Sequence, residues 1–440
     1  MLFMRAHRGW SKTVLAGLVA AGTLSLSGTS IQMSPLVGRR TEGLYRSASY
    51  NRVVDQYSRQ AEEDYTVKLG SLRLQLSAGL EAKYDDNLTS AQSADQQDGF
   101  SLSPVLYSEI YWPLNPGFQI YSGLSLAYKR YAFGGAGAND EGFTLGGTDG
   151  AANAQLGFDF RLGQSGLLSA SEEFTRNLDA FSGGGQGSRA YALNRNLLNA
   201  QYRNEFSRYT NGAVKLTHTN QWADQAEYDE QNLYSDFLDL VLLHFLNRDL
   251  QLGPYGRFGM YHYTMGKHND SDSLAGGAAL VYGSSERFVV SGSVGLSEVS
   301  FNTSNRGTAT EQYSGLTTQW GIRYANSPVM THRLVTSYGA EQGTLSQNVN
   351  FTKEWITQYT LSYMLREDLL VNADLGYINS RESDGGASYS LYRAGLGLGY
   401  RLTRDTTLDL RYIWEWRAAD NRGGGGYTRN SVILRLVHRL

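Results

Sequence analysis

Residues 72–84 read LRLQLSAGLEAKY. Leu72, Leu74, Leu76, Ala78, Leu80, Ala82 and Tyr84 alternate there with Arg73, Gln75, Ser77, Gly79, Glu81 and Lys83. A period of two places every apolar side chain on one face of an extended strand and every polar one on the other. The same grammar recurs to the end of the chain. It predicts about eighteen strands, over residues 72–84, 99–112, 118–131, 151–162, 167–178, 193–207, 211–223, 231–246, 250–264, 272–283, 287–301, 311–325, 330–342, 347–365, 369–380, 387–402, 406–418 and 427–440.

The links between these strands alternate in length. Every second one is short, as at 113–117, 163–166, 208–210, 247–249, 283–286, 326–329, 366–368 and 403–405, whereas 132–150, 179–192 and 419–426 are long and glycine-rich. Short turns on one side and long loops on the other belong to membrane barrels, whose apolar face meets lipid while the polar face is internal. The expected fold is therefore all-β. It is a transmembrane antiparallel up-and-down β-barrel over residues 71–440, with short periplasmic turns and longer extracellular loops. An even strand count also brings both ends of the barrel to the periplasmic side.

Composition agrees. The 440 residues include 50 glycines and 30 tyrosines but only 6 prolines, suiting turns, strands and membrane interfaces. A hydrophobic content of 41% and a negative mean hydropathy exclude a bundle of membrane helices. The net charge of −3 gives no reason to expect nucleic acid. The absence of cysteine removes disulfides and thiolate metal sites, and the 7 histidines show no metal-ligand spacing. No cofactor or metal is expected.

Arg5, Arg8 and Lys12 precede an apolar run over 13–26 and small residues at 25–30. That is the pattern of a cleaved export signal over 1–27, which would send the barrel to a Gram-negative outer membrane. Residues 28–70 read as a periplasmic extension. Tyr50, Val53, Val54, Tyr57 and Ala61 lie there at the spacing of a short helix, although a mobile tail fits the same residues.

Facing is clearest late in the chain. Over 387–402, Tyr392, Ala394, Leu396, Leu398, Tyr400 and Leu402 are expected outward, with Arg393, Gly395, Gly397, Gly399 and Arg401 inward. Over 406–418, Leu408, Leu410, Tyr412, Trp414 and Trp416 face lipid, and Asp409, Arg411, Glu415 and Arg417 face the interior. Trp112, Phe118 and Tyr400 fall at the periplasmic rim, and Tyr84, Tyr377, Trp414 and Trp416 at the outer one. Strands 167–178, 231–246 and 330–342 carry apolar residues at both parities and leave their facing open.

Sixteen to eighteen strands enclose a water-filled lumen, so passage is the default function. Once the barrel closes, its last three strands adjoin the first. Their inward parity gathers Arg73, Lys83, Arg393, Arg401, Arg411, Arg417, Arg429 and Arg435 against Glu81, Asp409 and Glu415. Such a basic stripe attracts anions; the alternative is that the arginines pair with local acids and stiffen the wall. Tyr107, Tyr111, Tyr121 and Tyr131 share the inward parity of the second and third strands. They offer flat faces on which sugar rings can stack, or else they pack the lumen. No nucleophile elbow or catalytic pairing is recognisable, and the glycine clusters lack the strand, helix and lysine of a phosphate loop, so an enzyme is not expected.

Tyr84-Asp85-Asp86-Asn87-Leu88, with Tyr427-Thr428-Arg429-Asn430, Arg435-Leu436 and Arg439-Leu440 at the close, resembles a family of outer-membrane β-barrel porins that accompany exopolysaccharide biosynthesis and export genes. The chain departs from the usual barrel ending, a terminal aromatic, by closing on Leu440. The resemblance implies a barrel of about eighteen strands serving polysaccharide passage beside a periplasmic export protein. The expected surroundings are outer-membrane lipid and lipopolysaccharide, and the cargo a polysaccharide or a small solute. A general or solute-specific diffusion porin and a non-conducting surface or adhesion barrel are the alternatives.

Overall fold

Alternation along the sequence becomes alternation of side chains about the plane of a sheet, and each strand finds its partner in its neighbour along the chain. The computed structural model describes residues 65–88, 96–133, 141–145, 154–181, 190–226, 229, 232–264, 269–285, 287–302, 312–327, 329–342, 351–382, 388–418 and 426–440. Its first strands are β1 (Val67–Leu69), β2 (Leu72–Asp85), β3 (Gly99–Asn115), β4 (Phe118–Phe133), β5 (Glu141–Leu145), β6 (Ala154–Leu162) and β7 (Gly166–Phe181). Then come β8 (Ala190–Ser207), β9 (Thr210–Ala223), β10 (Leu233–Phe245), β11 (Leu250–Tyr263), β12 (Ser271–Ser285), β13 (Phe288–Phe301) and β14 (Tyr313–Ser327). The series ends with β15 (Met330–Gln342), β16 (Phe351–Arg366), β17 (Leu369–Glu382), β18 (Ser388–Arg401), β19 (Thr406–Arg417) and β20 (Tyr427–Arg439).

Every wall contact is antiparallel. β20 returns to β2 through Gly79↔Val437, Glu81↔Arg435 and Asp85↔Ser431, which closes the cylinder. β4 pairs with β6 along 118–123 and with β5 along 126–130, and β5 meets β7 at Leu145↔Arg176. Thus β5 and β6 share one position in the wall, and the described residues form a closed antiparallel barrel of eighteen strand positions. The stretch 132–150, expected as a loop, therefore contains a strand. Its five residues lie between glycine-rich runs and are too few to show a period.

β1 lies at the edge that closure leaves open. β20 reaches β2 only from Ser77 onward, so the start of β2 would present bare backbone. β1 folds back on it through Val67↔Leu74 and Leu69↔Leu72, turning at Gly70, whose φ of 62° suits glycine. Thr66 Oγ1 accepts the Leu76 amide at 3.0 Å. The other N-terminal features, the signal over 1–27 and the helical spacing from Tyr50 to Ala61, lie outside the described residues.

Polarity across the wall is inverted relative to a soluble protein. Outward side chains include Leu296 at 70% exposure, Leu274 at 63% and Leu396 at 50%. Inward ones include Glu81 at 2% and Arg393 at 3%. Only a lipid surrounding makes that arrangement favourable, and among the described residues every strand position of the wall is paired with a neighbour on both sides. Aromatics gather toward the strand ends. At the short-turn end the rings Tyr282, Phe288, Tyr324, His332 and Tyr359 follow one another at 5.9 to 6.4 Å. Toward the long-loop end Tyr377, Tyr392 and Trp416 stand 5.1 and 5.2 Å apart. These are the girdles of a membrane-spanning barrel.

Register also explains the ambiguous middle. On β10, Leu238, Leu240 and Leu242 face out while Leu233, Phe237, Val241 and Leu243 face in, where Leu243 packs on Ala279 and Val281. A strand apolar on both faces has no period to read.

Candidate functional site: the inner wall

The inward residues of β17 to β20 and β2 form one continuous charged surface. Three inward glycines on β18 make it possible. A Cβ on Gly395 would run into the Asp374 carboxylate, and one on Gly399 would stand 2.9 Å from Asp409 Oδ1. With no side chain between them, Arg411 on β19 reaches across β18 to Asp374 on β17, Nη2 to Oδ1 at 2.9 Å. Arg393 approaches the same carboxylate at 3.7 Å.

The closing seam is tied in a similar way. Arg429 Nε donates to both Asp85 oxygens, at 3.0 and 2.8 Å, and Nη2 adds a bond of 2.5 Å. Asp85 also accepts Ser431 Oγ at 2.9 Å and the Asn87 amide at 3.1 Å, and Lys83 lies 3.7 Å away. Arg435 donates to Glu81. Tyr427 donates its hydroxyl to Glu415 at 2.7 Å, and Glu415 is the cross-strand partner of both Arg393 and Arg429. Hydrogen bonds between such ionised partners are shorter and stronger than those between neutral groups.

The eight basic residues expected on this stripe thus sit as follows. Lys83, Arg393, Arg411, Arg429 and Arg435 join the ion-pair surface. Arg417 lies over the Tyr389 ring at 4.5 Å, and Arg73 is 6.0 Å from the Tyr111 ring centre. Arg401 is exposed at the short-turn end, where its amide donates to Asp368 O at 2.8 Å. Two acids escaped the sequence reading. Asp85 falls one residue past the predicted end of its strand, and Asp374 lies on a strand beyond the stripe. The signal for Asp374 was present in the run of inward glycines beside it.

The four inward tyrosines separate into smaller groups. Tyr111 and Tyr121 are cross-strand partners. Tyr111 donates to Gln119 Oε1 at 3.0 Å, and Gln119 to Asp159 Oδ2 at 2.7 Å. Tyr121 lies flat over Gly157, whose missing Cβ makes room for the ring. Tyr131 accepts from Lys129 Nζ at 2.7 Å, while Tyr107 stands between Ser77 and Ser125. Tyr131 is ten residues along β4 from Tyr121, roughly 33 Å, so the structure does not gather all four into one platform.

Among described residues no group of three or more metal-ligating side chains occurs. No protein-family model matches the chain, and no curated protein matches it either. Among solved structures it is similar to Pseudomonas aeruginosa OpdK with vanillate, at 12% identity and a TM-score of 0.42, covering 83% of this chain and 98% of that one. It is similar to OccK2 (OpdF) of the same organism at 10% identity and 0.44, with the same coverage. A bacterial polysaccharide outer membrane secretin follows at 10% identity and 0.34, covering 85% of this chain and all of that one. At such scores the assignment as a transmembrane antiparallel β-barrel rests on the strand pairing and the inverted polarity of this chain.

Proposed function

We propose that this chain is an outer-membrane channel of the porin type that carries a secreted exopolysaccharide to the cell surface. The observation that supports passage is the closed wall of eighteen strand positions with its polar face inside, because a cylinder of that size encloses more space than its own side chains fill. The short-turn end faces the periplasm in this reading, and residues 1–27 act as the export signal. Polysaccharide as cargo is supported by the family resemblance of the 84–88 and 427–440 segments and by the inward Tyr111 and Tyr121. Their rings can hold sugars without strong binding. On the wall from β17 to β2, eight basic side chains stand with Glu81, Asp85, Asp374, Asp409 and Glu415, and the excess of cations suits anionic sugars over neutral ones.

Deleting the gene is expected to remove surface polysaccharide while precursor accumulates inside the cell. Unchanged surface polysaccharide with normal single-channel conductance would instead establish a diffusion porin. A barrel without conductance would leave adhesion as the function.

A further inference from the structure

At the long-loop end, β16 and β17 carry two cations on their outer face. Parity fixes the facing: Ile356 and Ile378, partners on the inner face, are buried, whereas Trp355 and Leu375 are 53% and 55% exposed. Lys353 shares the parity of Trp355 and Arg381 that of Leu375, and both cations are exposed. They are direct cross-strand partners, which puts their Cβ atoms about 5 Å apart. Among the described residues neither forms an ion pair; Lys353 Nζ stands 5.8 Å from the Tyr313 ring centre. Like charges placed directly opposite destabilise a strand pair unless an anion lies between them. Elsewhere on this rim the outward bases Arg176, His218 and His262 rest against Asp224, Asp236 and Asp270, at 2.6, 2.8 and 2.7 Å.

The levels below the pair are graded. Outward along β17 stand Leu375, Tyr377, Asn379 and Arg381 in turn. Tyr377 belongs to the aromatic girdle, and Arg381 lies four residues beyond it, about 13 Å along the strand. Between them is a neutral polar level. Asn379 Nδ2 donates to Ser390 Oγ at 3.1 Å, and Trp355, the partner of Asn379, donates Nε1 to Thr336 and Thr357 at 3.1 and 3.0 Å. Apolar, aromatic, hydrogen-bonding and cationic levels thus follow the order of acyl chain, interface, sugar and phosphate in a phosphorylated glycolipid. A guanidinium fork beside an ammonium suits the phosphate.

We propose that Lys353 and Arg381 dock the phosphorylated headgroup of an outer-leaflet glycolipid, the lipid A part of lipopolysaccharide, against the outer wall. The proposal rests on the channel reading above only for the outward placement of the long loops. The full chain in detergent is titrated with lipid A, with lipid A stripped of its phosphates and with phosphatidylglycerol. Bound lipid is counted by native mass spectrometry, and single-channel conductance is recorded in parallel. The wild type is expected to bind lipid A more tightly than the other two lipids. Lys353→Gln combined with Arg381→Gln should weaken lipid A binding about tenfold and leave the dephosphorylated lipid and the conductance unchanged, while Lys353→Arg combined with Arg381→Lys retains binding. Undiminished lipid A binding by the folded double glutamine variant overturns the site. Equal binding of the three lipids by the wild type overturns it too, whether or not that variant folds. A wild type that binds lipid A through this pair yet shows no conductance overturns the channel and leaves the site standing.

Discussion

Arg411 and Asp374 meet at 2.9 Å although a whole strand runs between them. Adjacent strands lie about 4.8 Å apart, so the contact spans roughly 10 Å of wall. It forms because Gly395 and Gly397 leave the inner surface of β18 bare. Removing the carboxylate while keeping the shape, as in Asp374→Asn, leaves Arg411 and Arg393 without that counter-charge. Reversal potentials should then move toward stronger anion preference, and folding stability should fall by about 3 kcal/mol, read from urea titration in detergent.

Gly395→Ala tests the same relationship from the other side. The added methyl group runs into the Asp374 carboxylate, and such overpacking costs about 1 to 3 kcal/mol. Gly123→Ala, with open space around its Cβ, should cost markedly less by the same titration.

Asp85 and Arg429 fasten the last strand to the first. Asp85→Asn should destabilise the barrel by about 3 to 5 kcal/mol, since the buried Arg429 would lose the carboxylate it is hydrogen-bonded to. Arg429→Gln combined with Asp85→Asn should cost less than the two single changes added together. The loss of heat-modifiable migration on gels would follow the order of the three variants.

Most of the wall was legible because its short turns fix where each strand reverses, and a period of two then fixes which side chains face in. Strand β18 shows this from Tyr392 to Arg401, each residue facing as its parity predicts. β5 was not legible, because five residues carry no period. The facing of β10 was not legible either, because Phe237 and Leu243 are apolar side chains on the inner face. The ion pairs depend on register between strands, and register follows from loops whose lengths say nothing about which carboxylate an arginine will reach. Lys353 and Arg381 lie on different strands and become direct partners only when β16 and β17 align.

Leu296, at 70% exposure, and Ser293, on the inward face of the same strand, separate the two solvents of this molecule. Leu296→Arg should cost about 2 to 4 kcal/mol by placing a cation in lipid. Ser293→Arg should cost less and should alter ion selectivity instead. Equal destabilisation by the two changes would argue against a lipid-facing outer surface on β13.

The chain contains no cysteine, so single cysteines placed along β13 report on one site each, and they test the closed cylinder most directly. In proteoliposomes, fluorophores on Val294→Cys and Leu296→Cys should be quenched by brominated lipid, while Ser293→Cys and Ser297→Cys should react with a charged, water-soluble thiol reagent. Alternation of the two signals from residue to residue is the predicted result; the same accessibility at all four positions would contradict a wall with lipid on one side and water on the other.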